Sequence, residues 1–219
     1  MIRMSDPTDR EDNAVAAVPT SPQEWRDFLE RYGERYLKSC ADDDELVDLL
    51  DEDQLDAFDR GERVSVWLGE APAREEALVA SEERLGVRFP PSLRGFFLAS
   101  DGWAHLDAWV EGVHPCGRVS WMRDGDAGMR VTEIYESIPG NEDDVQLFRR
   151  SVEVARGEDF WLLDPTDVGP DGEWAAYEFA PKYGSPTKFP SFSALFLSGY
   201  DDMDDEDDDE GEGEGEDLA

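Results

Sequence analysis

Apolar residues recur at helical spacing in the first hundred residues and crowd into short strand-like runs in the last seventy. Ser21-Pro22-Gln23-Glu24 has the form of a capping box with proline at the first helical position. Trp25, Phe28, Leu29, Tyr32, Tyr36 and Leu37 follow along one helical stripe. Asp42 to Asp44 interrupt it and give an acidic start to a second helix bearing Leu46, Leu49, Leu50, Leu55 and Phe58. Gly61 lies just past its end. Val64 to Gly69 reads as a short extended segment, and Pro72 opens a helix running to Leu85 and stopped by Gly86. Leu78 and Leu85 mark the buried stripe of that helix, and Glu82 falls on it. A glutamate there either reaches solvent at the helix edge or accepts N–H groups at the start of a neighbouring helix. The rarity of buried glutamate favours the edge.

The densest local specification lies in ERLGVRFPPSLRGFFLASDGW, residues 83–103. Phe89-Pro90-Pro91 forces an extended bend, because a residue before proline avoids the helical region. A short helix then starts at Pro91 or Ser92 with Leu93, Phe96 and Phe97 inward, and Asp101-Gly102 turns the chain out of it. Beyond Trp103 the periodicity weakens as far as residue 145. Val145 to Ala155 reads as one or two strands, Phe160-Trp-Leu-Leu163 as a buried strand and Glu173 to Phe179 as another. Asp164-Pro165 and Gly169 to Gly172 supply turns between the last two, and a final short helix follows Pro190. Helices first and strands later, with hairpin-type turns, predict an α+β domain: helices packed on one mainly antiparallel sheet.

Composition sharpens this picture. A chain of 219 residues suits one domain, and 11% aromatic residues supply a core despite a net charge of −35. The tail from Asp201 to Ala219 holds 13 acids and no base, leaving 42 acids against 20 bases before it. The acidity therefore belongs to the folded part as well. Phosphate backbones are engaged by cationic surfaces, so direct nucleic-acid binding is disfavoured and basic proteins are favoured as partners. Residues 1–20 read as disordered, 21–63 as an N-terminal helical extension, and 199–219 as a solvated acidic tail. Ala14 to Val18 is too short an apolar run for a signal peptide, and no stretch is long enough to span a bilayer. A soluble, cytoplasmic protein is expected, with Cys40 and Cys116 as inert free thiols.

Candidate chemistry is sparse. His105, Asp107, Glu111, His114 and Cys116 lie close in sequence, but their spacing matches no recurring zinc pattern, and neither metal nor cofactor is expected. No nucleophile elbow or phosphate-binding loop occurs. Asp124 with Asp126, and Glu142 with Asp143 and Asp144, read as loop clusters: a solvated face, or a contact surface for a cationic partner. Trp25, Trp67, Trp161 and Trp174 fall on helix or strand faces as core residues. Trp103, Trp109 and Trp121 occupy the weakly patterned middle, as packing residues or as interface anchors.

The order Trp67-Leu-Gly69, then Glu82-Glu-Arg-Leu85-Gly86, Phe89-Pro90-Pro91, Phe97-Leu98 and Asp101-Gly102-Trp103 resembles the signature of the SUKH superfamily. This is the superfamily of the Smi/Knr cell-wall-assembly regulators and their bacterial relatives. Phe89 stands where the family usually has leucine, and Asp101 where asparagine is common. Phe160 to Pro165, Gly172-Glu173-Trp174 and Phe189 to Phe192 resemble its later strands and closing helix, so the likeness covers residues 64–198. It implies an α+β fold in which Trp67, Gly86, Pro90, Gly102 and Trp174 are structural. It also implies a non-enzymatic immunity protein that covers the active or substrate-binding surface of a cognate polymorphic toxin, a nuclease fitting the acidity best. Contacts are expected at Trp109, Glu111, Trp121, Asp124, Asp126 and Glu142 to Asp144. A regulatory or scaffold module binding basic protein segments through the tail is the alternative, and a carboxylate-dependent hydrolase a distant third.

Overall fold

A computed structural model describes residues 18–39, 49–106 and 109–202. The elements are α1 (Pro22–Ser39), α2 (Glu52–Asp59), α3 (Glu75–Leu85), α4 (Pro91–Ala99), β1 (Trp103–Ala104), β2 (Gly112–Val113) and β3 (Ser120–Trp121). A 3-10 turn (Met122–Asp124) leads to α5 (Asp126–Glu136), α6 (Glu142–Arg150), β4 (Val152–Arg156), β5 (Phe160–Val168), β6 (Trp174–Phe179), β7 (Thr187–Phe189) and α7 (Phe192–Asp202). The fold is α+β. Every strand pairing is antiparallel, in the order β1-β2-β4-β5-β6-β7, with β3 also on β4.

Helices cover both faces of this sheet, and that explains the unbroken apolar run in β5. Trp161 and Leu163 point into a core built with Trp25 and Phe28 of α1, Leu78 of α3, Phe96 of α4 and Phe192 and Phe196 of α7. Phe160 and Leu162 point the other way, into a second core with Tyr135, Val145, Phe148 and Phe179. A strand buried on both faces loses the alternation of a half-solvated one. Trp25 centres the first core, edge-on to Phe28, Phe96 and Phe196, and its indole N–H donates to the Ser92 carbonyl at 2.8 Å.

Several expectations shift. Residues 145–150 are helical, not extended: Val145 and Phe148 share the buried side of α6, with acids in its first turn and Arg149 and Arg150 in its last. Only Val152 to Arg156 forms the expected strand. Asp164-Pro165 is no turn but lies within β5, where the register with β6 shifts between Asp164 and Val168, a tolerated position for proline. The third helix begins at Glu75 rather than Pro72. The second helix is capped afresh by Asp51, whose carboxylate accepts the Gln54 N–H while Gln54 returns the bond; residues 40–48 lie outside the described residues. Of the expected disordered N-terminus, residues 18–20 are placed, with the Pro19 carbonyl accepting the Ser193 hydroxyl. Within the expected tail, residues 199–202 belong to α7, and 203–219 lie outside the described residues.

Candidate functional site

The two distant halves of the signature meet at one helix end. Gly86, at φ +71°, stops α3, and its N–H bonds back to that helix. Pro90 and Pro91 then open α4 with no side-chain cap of their own. The cap comes from 81 residues downstream, where buried Glu173 accepts the Ser92 N–H at 2.7 Å and the Ser92 hydroxyl at 2.5 Å. A carboxylate suits the positive end of the helix dipole. Burial nevertheless pushes the Glu173 carboxyl above its usual range, with Ser92 pulling it back down. Glu82 accepts the Phe89 N–H at 3.0 Å and Arg94 Nη1 at 2.7 Å. It therefore fastens the approach to α4, and the solvent-edge expectation for Glu82 is corrected. Arg94 also pairs with Glu75, tying α4 to the first turn of α3.

Trp174 and Trp103 are buried in the first core, but Trp67 is 39% exposed and lies edge-on to Trp103, at 5.1 Å between ring centroids. Its expected core position is corrected, because the segment bearing it joins the sheet only through the Gly69–Trp103 bridge. Gly102, at φ +110°, sits against the Val113 carbonyl and makes the turn expected of it.

Beside β1 and β2 lies an open cleft of about 320 Å³, lined by Glu70, Trp103, Glu111, His114, Arg118 and Arg156. Behind it Glu153, only 4% exposed, places Oε1 3.4 Å from His114 Nε2 and 3.5 Å from Arg156 Nη1. The Arg156 contact is an ion pair, and the His114 contact lies at the long limit of a hydrogen bond. Oε2 is buried with no hydrogen-bond partner among the described residues and faces Gly125 at the start of α5. The periodicity of the sequence hides this residue, since Glu153 stands between Val152 and Val154 in a strand. Cys116 nearby is buried; desolvation, with the Asp101 carboxylate adding to it, pushes its thiol up to about 11. Cys40 and Asp107 lie outside the described residues. Among the described residues, no three of His, Cys, Asp or Glu are placed to hold a metal ion, and no helix is long and apolar enough to cross a membrane.

The expected contact residues divide into separate groups. Glu111 lines the cleft, and Trp109, 44% exposed, has Lys182 Nζ 5.1 Å from its ring centroid. Trp121 is half-buried in β3 beneath the Arg123 guanidinium at 4.3 Å. Asp124 ends the 3-10 turn and Asp126 lies in the first turn of α5, while Glu142, Asp143 and Asp144 form the first turn of α6. Neither acidic group is a loop cluster, as the sequence suggested; each sits where a helix dipole favours acids. Arg123 donates to the Arg149 carbonyl at the end of α6. Asp144 accepts the Ser185 hydroxyl at 3.0 Å. Compared with known proteins, the chain matches no protein-family model and none of the curated sequences.

Proposed function

We propose that this chain is a non-enzymatic protein-binding domain of the SUKH kind, an immunity protein that neutralises a cognate toxin by covering its active or substrate-binding surface. The observation that carries the reading is the bond between Glu173 and Ser92. It joins Gly172-Glu173-Trp174 to Pro90-Pro91-Ser92, so the two stretches that resemble the family signature form a single structural unit. The acidity supplies the mechanism. With 42 acids against 20 bases ahead of the tail, the body presents a negative field to any cationic groove that a nuclease uses for phosphate. Opposite fields accelerate encounter, and buried anchors then slow release.

The test is co-expression in a sensitive host. The gene beside this one is induced with and without this chain, and growth is followed. Restored growth is the expected result. Undiminished toxicity in the presence of well-expressed chain sinks the immunity reading and promotes the scaffold alternative.

A further inference from the structure

Helices α5 and α6 bury Val131, Tyr135, Val145 and Phe148 against the second face of the sheet. Two exposed apolar residues line clefts on their outer side, Met129 of α5 and Ile138 of the connection to α6, 43% and 47% exposed; Ile134, 58% exposed, lines neither. Two clefts of about 600 and 440 Å³ adjoin at the Glu136–Arg149 pair, which lines both, and are taken together as the α5–α6 groove, with Met129 in one and Ile138 and Pro139 in the other. A single exposed apolar side chain is ordinary. Met129 in one cleft and Ile138 with Pro139 in the adjoining one together make an apolar strip of the kind protein-docking surfaces carry, since covering it removes apolar area from water.

Charge selects the occupant. Glu133, Glu136 and Glu142 line the groove. Its two arginines are engaged internally: Arg149 lies 2.6 Å from Glu136, while Arg123 bonds the Arg149 carbonyl and covers the Trp121 ring. Among the described residues no ion pair engages Glu133, Glu142 or Asp143. A second copy of this acidic chain would bring like charges together, and a phosphate backbone would be repelled.

We infer that the α5–α6 groove docks a cationic amphipathic segment of a partner protein, with apolar side chains on Met129 and Ile138 and lysine or arginine on Glu133 and Glu142. The inference rests on the protein-binding reading above and adds its surface and the chemistry of the partner. The Glu136–Arg149 pair crosses the groove near its middle and either opens or becomes a rim contact on docking.

The full chain is titrated with a synthetic amphipathic Lys/Leu peptide and with a Lys/Gly peptide of equal charge, followed by methyl NMR. The Lys/Leu peptide is expected to bind about tenfold more tightly and to shift Met129 and Ile138. Ile138→Ser removes that preference, and Glu133→Gln with Glu142→Gln weakens both peptides, whereas Glu52→Gln on α2 changes neither. All are surface positions, and a thermal melt of each variant checks the fold. Equal affinities for the two peptides, or a preference untouched by Ile138→Ser, overturns the inference. Growth rescue without a peptide preference removes this groove and keeps the protein-binding reading. A preference without rescue keeps the groove and removes the immunity reading.

Discussion

Glu173 shows how one buried carboxylate can link remote parts of a chain. It satisfies two donors of Ser92 at the start of α4, beside the Ser92 carbonyl that holds the Trp25 indole. Glu173→Ala strands those donors and is expected to cost about 2–3 kcal/mol in urea unfolding, with Glu173→Gln costing less because its carbonyl still accepts. The raised carboxyl also fixes a pH signature. The folded state holds the proton more tightly than the unfolded chain, so ionisation is a penalty on folding. That penalty is absent below the ordinary glutamate range and complete above the raised folded value. The stability of the native chain relative to Glu173→Gln should therefore fall as pH rises through that window; a difference that is flat or rises contradicts the assignment. For Cys116, a thiol at about 11 carries little thiolate at neutral pH. Peptide-resolved iodoacetamide labelling should modify it far more slowly in native than in urea-unfolded protein.

At the scale of elements, α4 is held by close approach as much as by its caps. A Cβ on Gly95 would lie 2.0 Å from the Thr20 carbonyl oxygen, while one on Gly86 would meet nothing within 4 Å. Gly86→Ala should thus cost about 1 kcal/mol, for the left-handed backbone alone. Gly95→Ala should cost more in the same denaturation experiment, since backbone must move; equal losses would mean Thr20 is not packed there. These local devices explain why α4 was legible in the sequence: proline and glycine act on their own neighbours. Helix α6 was not legible, because Val145, Val152 and Val154 together imitate a strand and Glu142 to Asp144 imitate a loop. The dipole pattern, acids first and Arg149-Arg150 last, was the signal that could have corrected it. The cap from Glu173 and the burial of Glu153 were illegible for another reason. Ser92 lies 81 residues from Glu173 and His114 39 from Glu153, and no local pattern encodes a contact at such range. The likeness of the second segment to a family included Glu173 without revealing what it holds.

Across the molecule, two aromatic-rich cores hold the sheet from both sides. A few acids, Glu153, Asp159, Asp164 and Glu173, are buried, while others lie at helix starts and along the α5–α6 groove. A field of one sign costs some stability through self-repulsion but suits the proposed binding of a basic partner. Binding of that partner should accordingly weaken with added salt, mainly through slower association, as stopped-flow measurements at two ionic strengths would register. The most direct test of a non-enzymatic, surface-covering inhibitor is stoichiometry. The purified product of the adjacent gene is assayed while this chain is titrated in. Activity should fall linearly and vanish at an equimolar endpoint. Inactivation that continues at a small fraction of that amount would mean turnover, and would contradict the account.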